Sequence, residues 1–254
     1  MGKPLVAITG ASSGIGAAVA RRFAEAGHPL LLMARRIERL EAVGLPSTLC
    51  EQIDVTVRGS VRAAIDRAEE EYGPDDCLVN TAGTMMLGRI ETQDPLEWER
   101  MFALNVLAMM NAMAAVLGPM RDRGSGTIIN MSSTSGRTTF PHHAGYTGTK
   151  FAVTGITENV REEVAGDGVR VISICPGATS TEIMNHTTSA ELRQDYAAWR
   201  DEIGGVMDPD IHFIQKPFSS KVLAAKIREV LDEKPRSGKT GSSAGRGGSM
   251  VDSP

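Results

Sequence analysis

Short, continuously apolar runs alternate along most of this chain with longer stretches that have helical periodicity. The runs occupy residues 5–8, 30–33, 49–53, 77–79, 127–129 and 169–174. Runs of this length are typical of strands that are covered on both faces, as in parallel sheets. The intervening patterns predict helices near residues 15–26, 57–71, 95–120 and 146–165. This alternation predicts an α/β fold with one doubly wound parallel sheet, helices on both faces, and ligands at the carboxyl ends of the strands.

Composition limits the partners and the surroundings of such a domain. The 254 residues carry a formal net charge of −4 without a basic block, so we expect no nucleic-acid partner. The scattered Cys50, Cys77 and Cys175 lack the spacing of a disulfide framework or a metal site and indicate a reducing compartment, the cytoplasm. Residues 101–120 carry no charge, but two asparagines interrupt them. This favours a helix buried in a core or a subunit interface, and no membrane partner is expected.

A glycine-rich segment lies directly between the first predicted strand and the first predicted helix. It reads Thr9-Gly10-Ala11-Ser12-Ser13-Gly14-Ile15-Gly16. Gly10 permits a tight turn, Gly16 lets the helix approach the strand closely, and the backbone N–H groups at the helix start face an anion. Glycines occur in turns for steric reasons alone, but this position within a β-α-β unit indicates a dinucleotide-binding site.

The residues after the second predicted strand indicate which dinucleotide binds. An NAD-selective site usually offers an acid there to the ribose hydroxyls, whereas this chain reads Met33-Ala34-Arg35-Arg36. No carboxylate stands there to repel a 2′-phosphate, and the guanidiniums of Arg35 and Arg36 can hold one bidentately. We therefore expect NADP(H) as the cofactor. The alternative is a solvated basic helix start.

A second group of polar residues indicates acid–base chemistry at the same edge of the sheet. Tyr146 and Lys150 are four residues apart, which places both on one face of a helix, and a nearby ammonium lowers the pKa of a phenol. Alone, this spacing also fits an ordinary surface pair. Ser133 follows the strand of residues 127–131, so its hydroxyl can donate to a substrate carbonyl. Asn105, in an apolar helix, either makes a helix–helix hydrogen bond or holds a water in a proton path.

Together these residues resemble the short-chain dehydrogenase/reductase family, of the NADP-preferring Tyr-Lys type, over about residues 4–190. The matching motifs, in the family's order and spacing, are Thr9-Gly10-x-x-x-Gly14-x-Gly16, Asp54-Val55, Asn80-Thr81-Ala82-Gly83, Asn105, Ser133, Tyr146-x-x-x-Lys150 and Pro176-Gly177-x-x-x-Thr181. The resemblance implies a Rossmann-like domain over residues 1–207. It also implies a catalytic tetrad of Asn105, Ser133, Tyr146 and Lys150.

The same resemblance implies the reaction and the cofactor contacts. Tyr146 would exchange a proton with a carbonyl or alcohol oxygen while a hydride passes to or from the nicotinamide, whose ribose Lys150 would hold. The adenine would meet Asp54 and Val55. The other implied contacts are Asn80, Ala82 and Gly83 along the cleft, and Pro176, Gly177, Thr179 and Thr181 near the nicotinamide amide. Thr81 stands where many members have a second Asn. Because Asn80 and Gly83 are intact, we expect this departure to have little effect on the site.

Substrate choice is expected to depend on residues 137–145 and 178–205. The histidines His142 and His143 either touch substrate or lie in a solvent-exposed loop, and Arg137 could pair with a carboxylate. Several segments are similar to the branch of 3-hydroxy-acid and serine dehydrogenases, which implies 3-hydroxy acids or a broad set of aldehydes and ketones as substrates. The rival hypotheses are a non-catalytic NADP-binding or sensing protein on the same fold, a signalling adaptor and an enoyl reductase, the last disfavoured by the serine–tyrosine spacing.

The C-terminal part departs from the family pattern. Residues 208–236 resemble the last strand, Lys-Pro-Phe turn and helix of a response-regulator receiver domain, without its phospho-acceptor core. Residues 237–254 contain ten Gly or Ser in eighteen positions and are predicted to form a flexible tail. We interpret this part as a junction between unrelated coding pieces. The helices near 95–120 and 146–165 keep the apolar faces of a usual family interface, so a homo-oligomer, dimer or tetramer, is expected.

Overall fold

Each predicted apolar run forms a strand, with ends within two residues of the prediction. The strands are β1 Leu5–Thr9, β2 Leu30–Ala34, β3 Thr48–Gln52, β4 Asp75–Asn80, β5 Gly126–Met131 and β6 Val169–Ile174. They pair in parallel as one six-stranded sheet in the order β3-β2-β1-β4-β5-β6. The computed structural model of the protein describes residues 3–179 and 181–202. The predicted residues 208–236 and 237–254 lie outside the described part of the chain.

Helices connect the strands and cover both faces of the sheet. They are α1 Gly14–Glu25, α2 Ile37–Glu41, α3 Ser60–Tyr72, α4 Pro95–Phe102, α5 Ala108–Arg123, α6 Ala144–Glu163 and α7 Ala190–Glu202. The predicted helix of residues 95–120 contains a π-helical turn, Ala103–Leu107, between α4 and α5. Neither α2 nor α7 was predicted: α2 is too short to display a period, and α7 lies in the segment 178–205, which was predicted to select the substrate.

Two apolar cores, one on each face, follow from the alternation of side chains along the strands. Leu5 and Ala7 of β1 face the core under α3, α5 and α6. Val6 and Ile8 face the core under α1 and α2. Each large side chain removed from water in this way contributes roughly 2 kcal/mol. The doubly wound α/β fold predicted from the sequence is thereby confirmed.

The continuous helical segment Pro95–Arg123 passes a length-and-composition test for a membrane span. Buried core helices of soluble proteins pass the same test. Met109, Met113 and Met120 of this segment are buried in the core against the sheet. By contrast, Leu107 and Met110 are exposed. The segment therefore has one face on the core and one apolar face on the surface.

The strand order creates a crevice at the carboxyl ends of β1 and β4. The chain moves outward from β1 to β2 and β3, then returns to the other side of β1 as β4. The connections after these two central strands diverge, and ligands of doubly wound sheets bind in the opening between them. The residues that follow β1, β4, β5 and β6 therefore lie where a ligand of this sheet would bind.

Candidate active site

The glycine-rich turn between β1 and α1 packs directly against the turn that follows β4. Gly10 has a φ of +69°, and a Cβ there would lie 2.7 Å from the backbone of Ala82. A Cβ on Gly16 would collide with the carbonyl oxygen of Gly10. Side chains at these two positions would push the strand, the helix and the neighbouring turn apart. The glycines therefore keep backbone groups at the floor of the crevice.

The N-terminus of α1 is open to an anion. Within the described chain the side chain of the N-cap residue, Ser13, accepts no hydrogen bond from the first turn, and that turn contains no acidic residue. The N–H groups of a first helical turn carry partial positive charge and bind phosphate. Ser12, Ser13 and Gly14 line a cleft here together with Thr181 and Glu182. This donor set fits the pyrophosphate of a dinucleotide.

Arginine side chains cluster beside this helix start. Arg35 and Arg36 follow β2 and are exposed, and Nη2 of Arg36 lies 3.4 Å from Oγ of Ser12. Arg39 of α2, which no sequence pattern indicated, donates from Nη1 to both carboxylate oxygens of Glu182 at 2.9 Å. Nη2 of Arg36 lies 3.5 Å from the same carboxylate. The three-residue spacing between Arg36 and Arg39 could have indicated that Arg39 lies on the same side as Arg36. Glu182 gave no local signal, because it is 143 positions from Arg39 in the sequence.

The implied adenine contacts follow β3. Oδ1 of Asp54 accepts hydrogen bonds from the backbone N and the hydroxyl of Thr56, at 2.9 and 2.7 Å. These bonds hold the pKa of Asp54 below its ordinary value, and the charge of Arg35 adds to the effect. Val55 is buried in the core. Asp54 therefore offers an exposed, ionised side chain to the adenine, whereas the buried Val55 offers little surface to it.

The turn after β4 is held by side chains at the strand ends. Nδ2 of Asn80 donates to Oδ1 of Asn130 on β5 at 2.9 Å, so this implied cofactor contact joins two neighbouring strands. The hydroxyl of Thr81 donates to the carbonyl oxygen of Thr9, and the backbone N of Ala82 lies 3.3 Å from Oγ1 of Thr9. The threonine that departs from the family pattern thus keeps this turn attached to β1. Asn130 lies inside an apolar strand, and no sequence pattern indicated its role.

Ser133 and Tyr146 meet at the carboxyl edge of the sheet. Ser133 follows β5, Tyr146 lies in the first turn of α6, and their buried side chains line the same cleft. The backbone N of Ser135 donates to Oγ of Ser133 at 3.1 Å, which orients the hydroxyl. Burial raises the pKa of Tyr146 above its ordinary value, and the neighbouring Ser133 hydroxyl opposes this only in part. The phenol is therefore protonated at neutral pH.

Lys150 lies one turn after Tyr146, with its ammonium inside the cleft. Nζ donates to the carbonyl oxygen of Met131 at 2.8 Å and lies 5.7 Å from the centre of the Tyr146 ring. Burial lowers the pKa of Lys150 to about 8. The expectation that the lysine lowers the pKa of the tyrosine is therefore not met in this structure. Removal from water is the largest cause of the pKa shift in both groups.

Asn105 lies in the π-helical turn and is 2% exposed. Its Oδ1 accepts from the backbone N of Thr84 at 2.8 Å, while Nδ2 donates to the carbonyl of Thr84 at 2.9 Å and to Oγ1 of Thr149 at 3.0 Å. The bond to Thr149 is the helix–helix hydrogen bond that was one of the two roles considered for Asn105. The two bonds to Thr84 also hold the turn after β4. A Cβ on Gly83 would lie 3.2 Å from Oδ1 of Asn105 and 3.9 Å from Nζ of Lys150. Asn105 thus positions the surroundings of the lysine.

One cleft brings together predicted residues from four separate parts of the chain: the glycine turn, the turn after β4, the end of β5 with α6, and the segment after β6. The backbone N of Thr134 donates to the carbonyl of Pro176 at 2.9 Å, which joins the last two of these parts. The predicted residues that line this cleft are Ile15, Gly83, Ser133, Tyr146, Lys150, Pro176, Gly177, Thr179 and Thr181.

Aromatic side chains form the outer wall of this cleft. His143 is buried rather than part of a solvent-exposed loop, whereas His142 is exposed. Nδ1 of His143 lies 2.6 Å from the carbonyl of Pro141, and burial lowers the pKa of the ring. A carbonyl only accepts, so Nδ1 carries the proton of the neutral ring. The ring of Tyr196, which no sequence pattern indicated, lies centre to centre 6.0 Å from the His143 ring and is tilted by 40° to it. Arg137 is exposed outside the cleft.

Metal ligands are not grouped in the part of the chain that the structure describes. Over residues 3–179 and 181–202 no three His, Cys, Asp or Glu side chains lie together as a metal site would require. Cys50, Cys77 and Cys175 are free thiols.

Sequence comparison assigns the family. The chain matches the short chain dehydrogenase family over residues 4–192. It is 40% identical over 197 residues to an uncharacterized oxidoreductase of Staphylococcus saprophyticus, covering 75% of this chain and 80% of that relative. The chain therefore belongs to the short-chain dehydrogenase/reductase family of oxidoreductases. The match ends before residues 208–236, for which the receiver-like ending stays a prediction.

Further relatives and solved structures carry more specific descriptions. The chain is 34% identical over 206 residues to sulfoacetaldehyde reductase 2 of Chromohalobacter salexigens, covering 78% of this chain and 81% of that protein. A serine dehydrogenase complexed with NADP⁺ superposes with a TM-score of 0.80 at 26% identity, covering 91% and 90% of the two chains. An alcohol dehydrogenase from Thermococcus sibiricus complexed with 5-hydroxy-NADP gives a TM-score of 0.75 at 25% identity, covering 91% and 92%.

Proposed function

We propose that the protein is an NADP(H)-dependent oxidoreductase that interconverts a carbonyl group and a primary or secondary alcohol. The observation that carries this proposal is the convergence of Ser133, Tyr146 and Lys150 in one cleft at the sheet edge. The nicotinamide cofactor supplies or accepts the hydride when it is bound. Membership in a family of oxidoreductases supports the reaction class.

Tyr146 is the catalytic acid and base. Its raised pKa keeps the phenol protonated at neutral pH, which is the state that can protonate a carbonyl oxygen during reduction. Ser133 donates a hydrogen bond to the same oxygen and stabilises the negative charge that develops there. The backbone N of Ser135 orients the Ser133 hydroxyl and burial fixes the Tyr146 ring, so both hydroxyls are in place before substrate arrives, which lowers the entropic part of the barrier.

Lys150 stabilises the charge that remains after proton transfer. Once Tyr146 has given up its proton, the nearby ammonium favours the phenolate. The hydrogen bond from Nζ to Met131 holds this ammonium in the cleft, where it also binds the nicotinamide ribose. Asn105 acts through its neighbours as a positioning residue, because its side chain is engaged by Thr84 and Thr149.

The cofactor is NADP(H), held between the glycine turn and the arginines. The open first turn of α1 binds the pyrophosphate, and Arg35 and Arg36 bind the 2′-phosphate, joined by Arg39. Planar guanidiniums suit phosphate oxygens because two parallel N–H groups meet two acceptors. The solved structures of serine dehydrogenase and alcohol dehydrogenase, which are described with NADP⁺ and 5-hydroxy-NADP, support this choice over NAD(H).

The substrate is a small molecule with a carbonyl or alcohol group that fits between the catalytic hydroxyls and the aromatic wall. Phe140, His143 and Tyr196 line that side of the cleft. Aldehydes, ketones and 3-hydroxy acids are the classes to test, since the relatives include proteins described as a sulfoacetaldehyde reductase and a serine dehydrogenase.

The protein is a homo-oligomer, dimer or tetramer, located in the cytoplasm. The surface of the 95–123 helical segment and α6 exposes large apolar side chains, among them Phe102, Leu107 and Phe151. A Cβ on Gly148 of α6 would lie 3.5 Å from Cζ of Phe102, so the two elements form one continuous face. Light scattering checks this: Phe102→Glu should dissociate the assembly, and a wild-type monomer would contradict it.

An NADPH-depletion screen over aldehydes, ketones and 3-oxo acids tests the reaction, with NADP⁺ and 3-hydroxy acids for the reverse direction. Tyr146→Phe should abolish turnover and leave NADPH binding nearly intact, because only the reactive hydroxyl is lost. Tyr72→Phe on α3 makes the same chemical change outside the cleft and should keep full activity. Full activity of Tyr146→Phe would refute the assignment. NADPH binding without turnover across the panel would favour the non-catalytic binder.

A further inference from the structure

Glu182 bridges two distant parts of the chain by ion pairs. It lies directly after Thr181, beyond β6, and both of its carboxylate oxygens accept from Nη1 of Arg39 at 2.9 Å. Nη2 of Arg36 lies 3.5 Å from one of the same oxygens. The side chains are about half exposed, at 46% for Glu182 and Arg39 and 47% for Arg36. Solvent and an anion from solution can therefore reach this cluster.

The arginines in this cluster are the ones proposed to hold the 2′-phosphate of the cofactor. A guanidinium binds a carboxylate and a phosphate through the same N–H groups, so the two anions compete for Arg36 and Arg39. A carboxylate that stays beside a bound phosphate also repels it. By either route, Glu182 disfavours the phosphorylated cofactor and has little effect on one that carries only a hydroxyl at this position.

We infer that Glu182 is an internal competitor for the 2′-phosphate and sets how strongly the protein distinguishes NADP(H) from NAD(H). This inference rests on the proposed function, because it requires the arginines to bind that phosphate. Its size follows from the energies of exposed ion pairs, which correspond to about a two- to fivefold change in affinity. The effect should shrink at high salt, since exposed charges are screened.

Calorimetric titration of the full chain with 2′,5′-ADP and with 5′-AMP isolates this contribution without any turnover. The two probes differ only in the 2′-phosphate. Glu182→Gln should bind 2′,5′-ADP about two- to fivefold more tightly than wild type and 5′-AMP equally well. Glu25→Gln is the matched control, because Glu25 forms a comparably exposed ion pair with Arg22 within α1 at 3.0 Å. It should change neither affinity.

The outcomes separate this inference from the proposed cofactor. Wild type that prefers 2′,5′-ADP, with Glu182→Gln unchanged or weaker, would overturn the role of Glu182 and leave NADP(H) in place. A weaker variant would mean that the carboxylate orients Arg39 for the phosphate. Wild type that binds both probes equally would overturn both proposals.

Discussion

The buried side chains of Ser133 and Tyr146 meet in one cleft although thirteen positions separate them along the chain. Ser133 is held at the end of β5, and Tyr146 is carried there by the first turn of α6. Because a strand end and a helix start are both rigid, the two hydroxyls are positioned before any substrate binds. The chemistry of the proposed enzyme depends on this contact.

Ser133→Ala should lower kcat about a hundredfold, because a donor to the developing oxyanion is lost. Ser132→Ala is the matched control at the next residue. The Ser132 hydroxyl contacts the carbonyl of Lys150 at 3.1 Å and Oγ1 of Thr154 at 2.8 Å. Loss of the Ser132 hydroxyl should lower the unfolding temperature and should affect kcat much less than Ser133→Ala does. Steady-state kinetics and thermal unfolding of both variants check this, and equal kinetic losses would contradict it.

The rate of carbonyl reduction should fall as the pH rises through about 8. Burial lowers the pKa of Lys150 to about 8, so its ammonium is lost above that pH and no longer stabilises the Tyr146 phenolate. The measurement is kcat/KM for reduction across neutral and alkaline pH. Lys150→Arg keeps a positive charge throughout that range and should remove the alkaline decline from whatever activity remains. A wild-type profile that stays flat through the alkaline range would contradict the role of the ammonium.

Arg35→Ala should weaken NADP(H) binding about tenfold and leave NAD(H) binding nearly unchanged, because a charge-assisted contact to the 2′-phosphate is lost. Fluorescence titration with NADPH and NADH measures both dissociation constants. Arg22→Ala, at the far end of α1, removes the same charge away from the proposed phosphate site and serves as the control. Equal weakening of NADPH and NADH binding would show that Arg35 does not contact the 2′-phosphate.

Asp75→Asn should stabilise the protein at alkaline pH and have little effect at acid pH. Burial, followed by the nearby Glu69 carboxylate, raises the pKa of Asp75 to about 7 in the folded chain, against 3.8 as the ordinary value. The folded state therefore favours the protonated carboxyl. The contribution of the Asp75 carboxyl to the free energy of unfolding is therefore most favourable below about pH 4 and is lost as the pH rises through about 7.

Above about pH 8 the buried carboxylate costs about 4 kcal/mol, which the neutral amide avoids. Urea unfolding of wild type and Asp75→Asn at an acid and an alkaline pH measures the difference. Asp76→Asn makes the same change at a partly exposed neighbouring residue and should gain much less. A gain for Asp75→Asn that is equal at both pH values would contradict a titrating carboxyl.

Local pattern determined most of the fold. The strands from Leu5–Thr9 to Val169–Ile174 and the longer helices between them follow from continuous apolar runs and helical periods, which depend on neighbours only a few positions apart. The π-helical turn Ala103–Leu107 escaped prediction because residues 101–120 carry no charge, and a stretch that is apolar on every side does not show where a residue is inserted into the period. α2 escaped because its five residues are too few to display a period.

The candidate site divides in the same way. The glycine turn, the Tyr146–Lys150 spacing and the serine at a strand end are local features, and sequence alone determined them together with the family. Only the tertiary structure decided that Asn105 is engaged by Thr84 and Thr149, that His143 is buried, and that Glu182 pairs with Arg39. It also decided that burial raises the pKa of Tyr146 despite the nearby lysine. Desolvation and pairing between distant residues depend on which parts of the chain come together, and no short stretch of sequence carries that information.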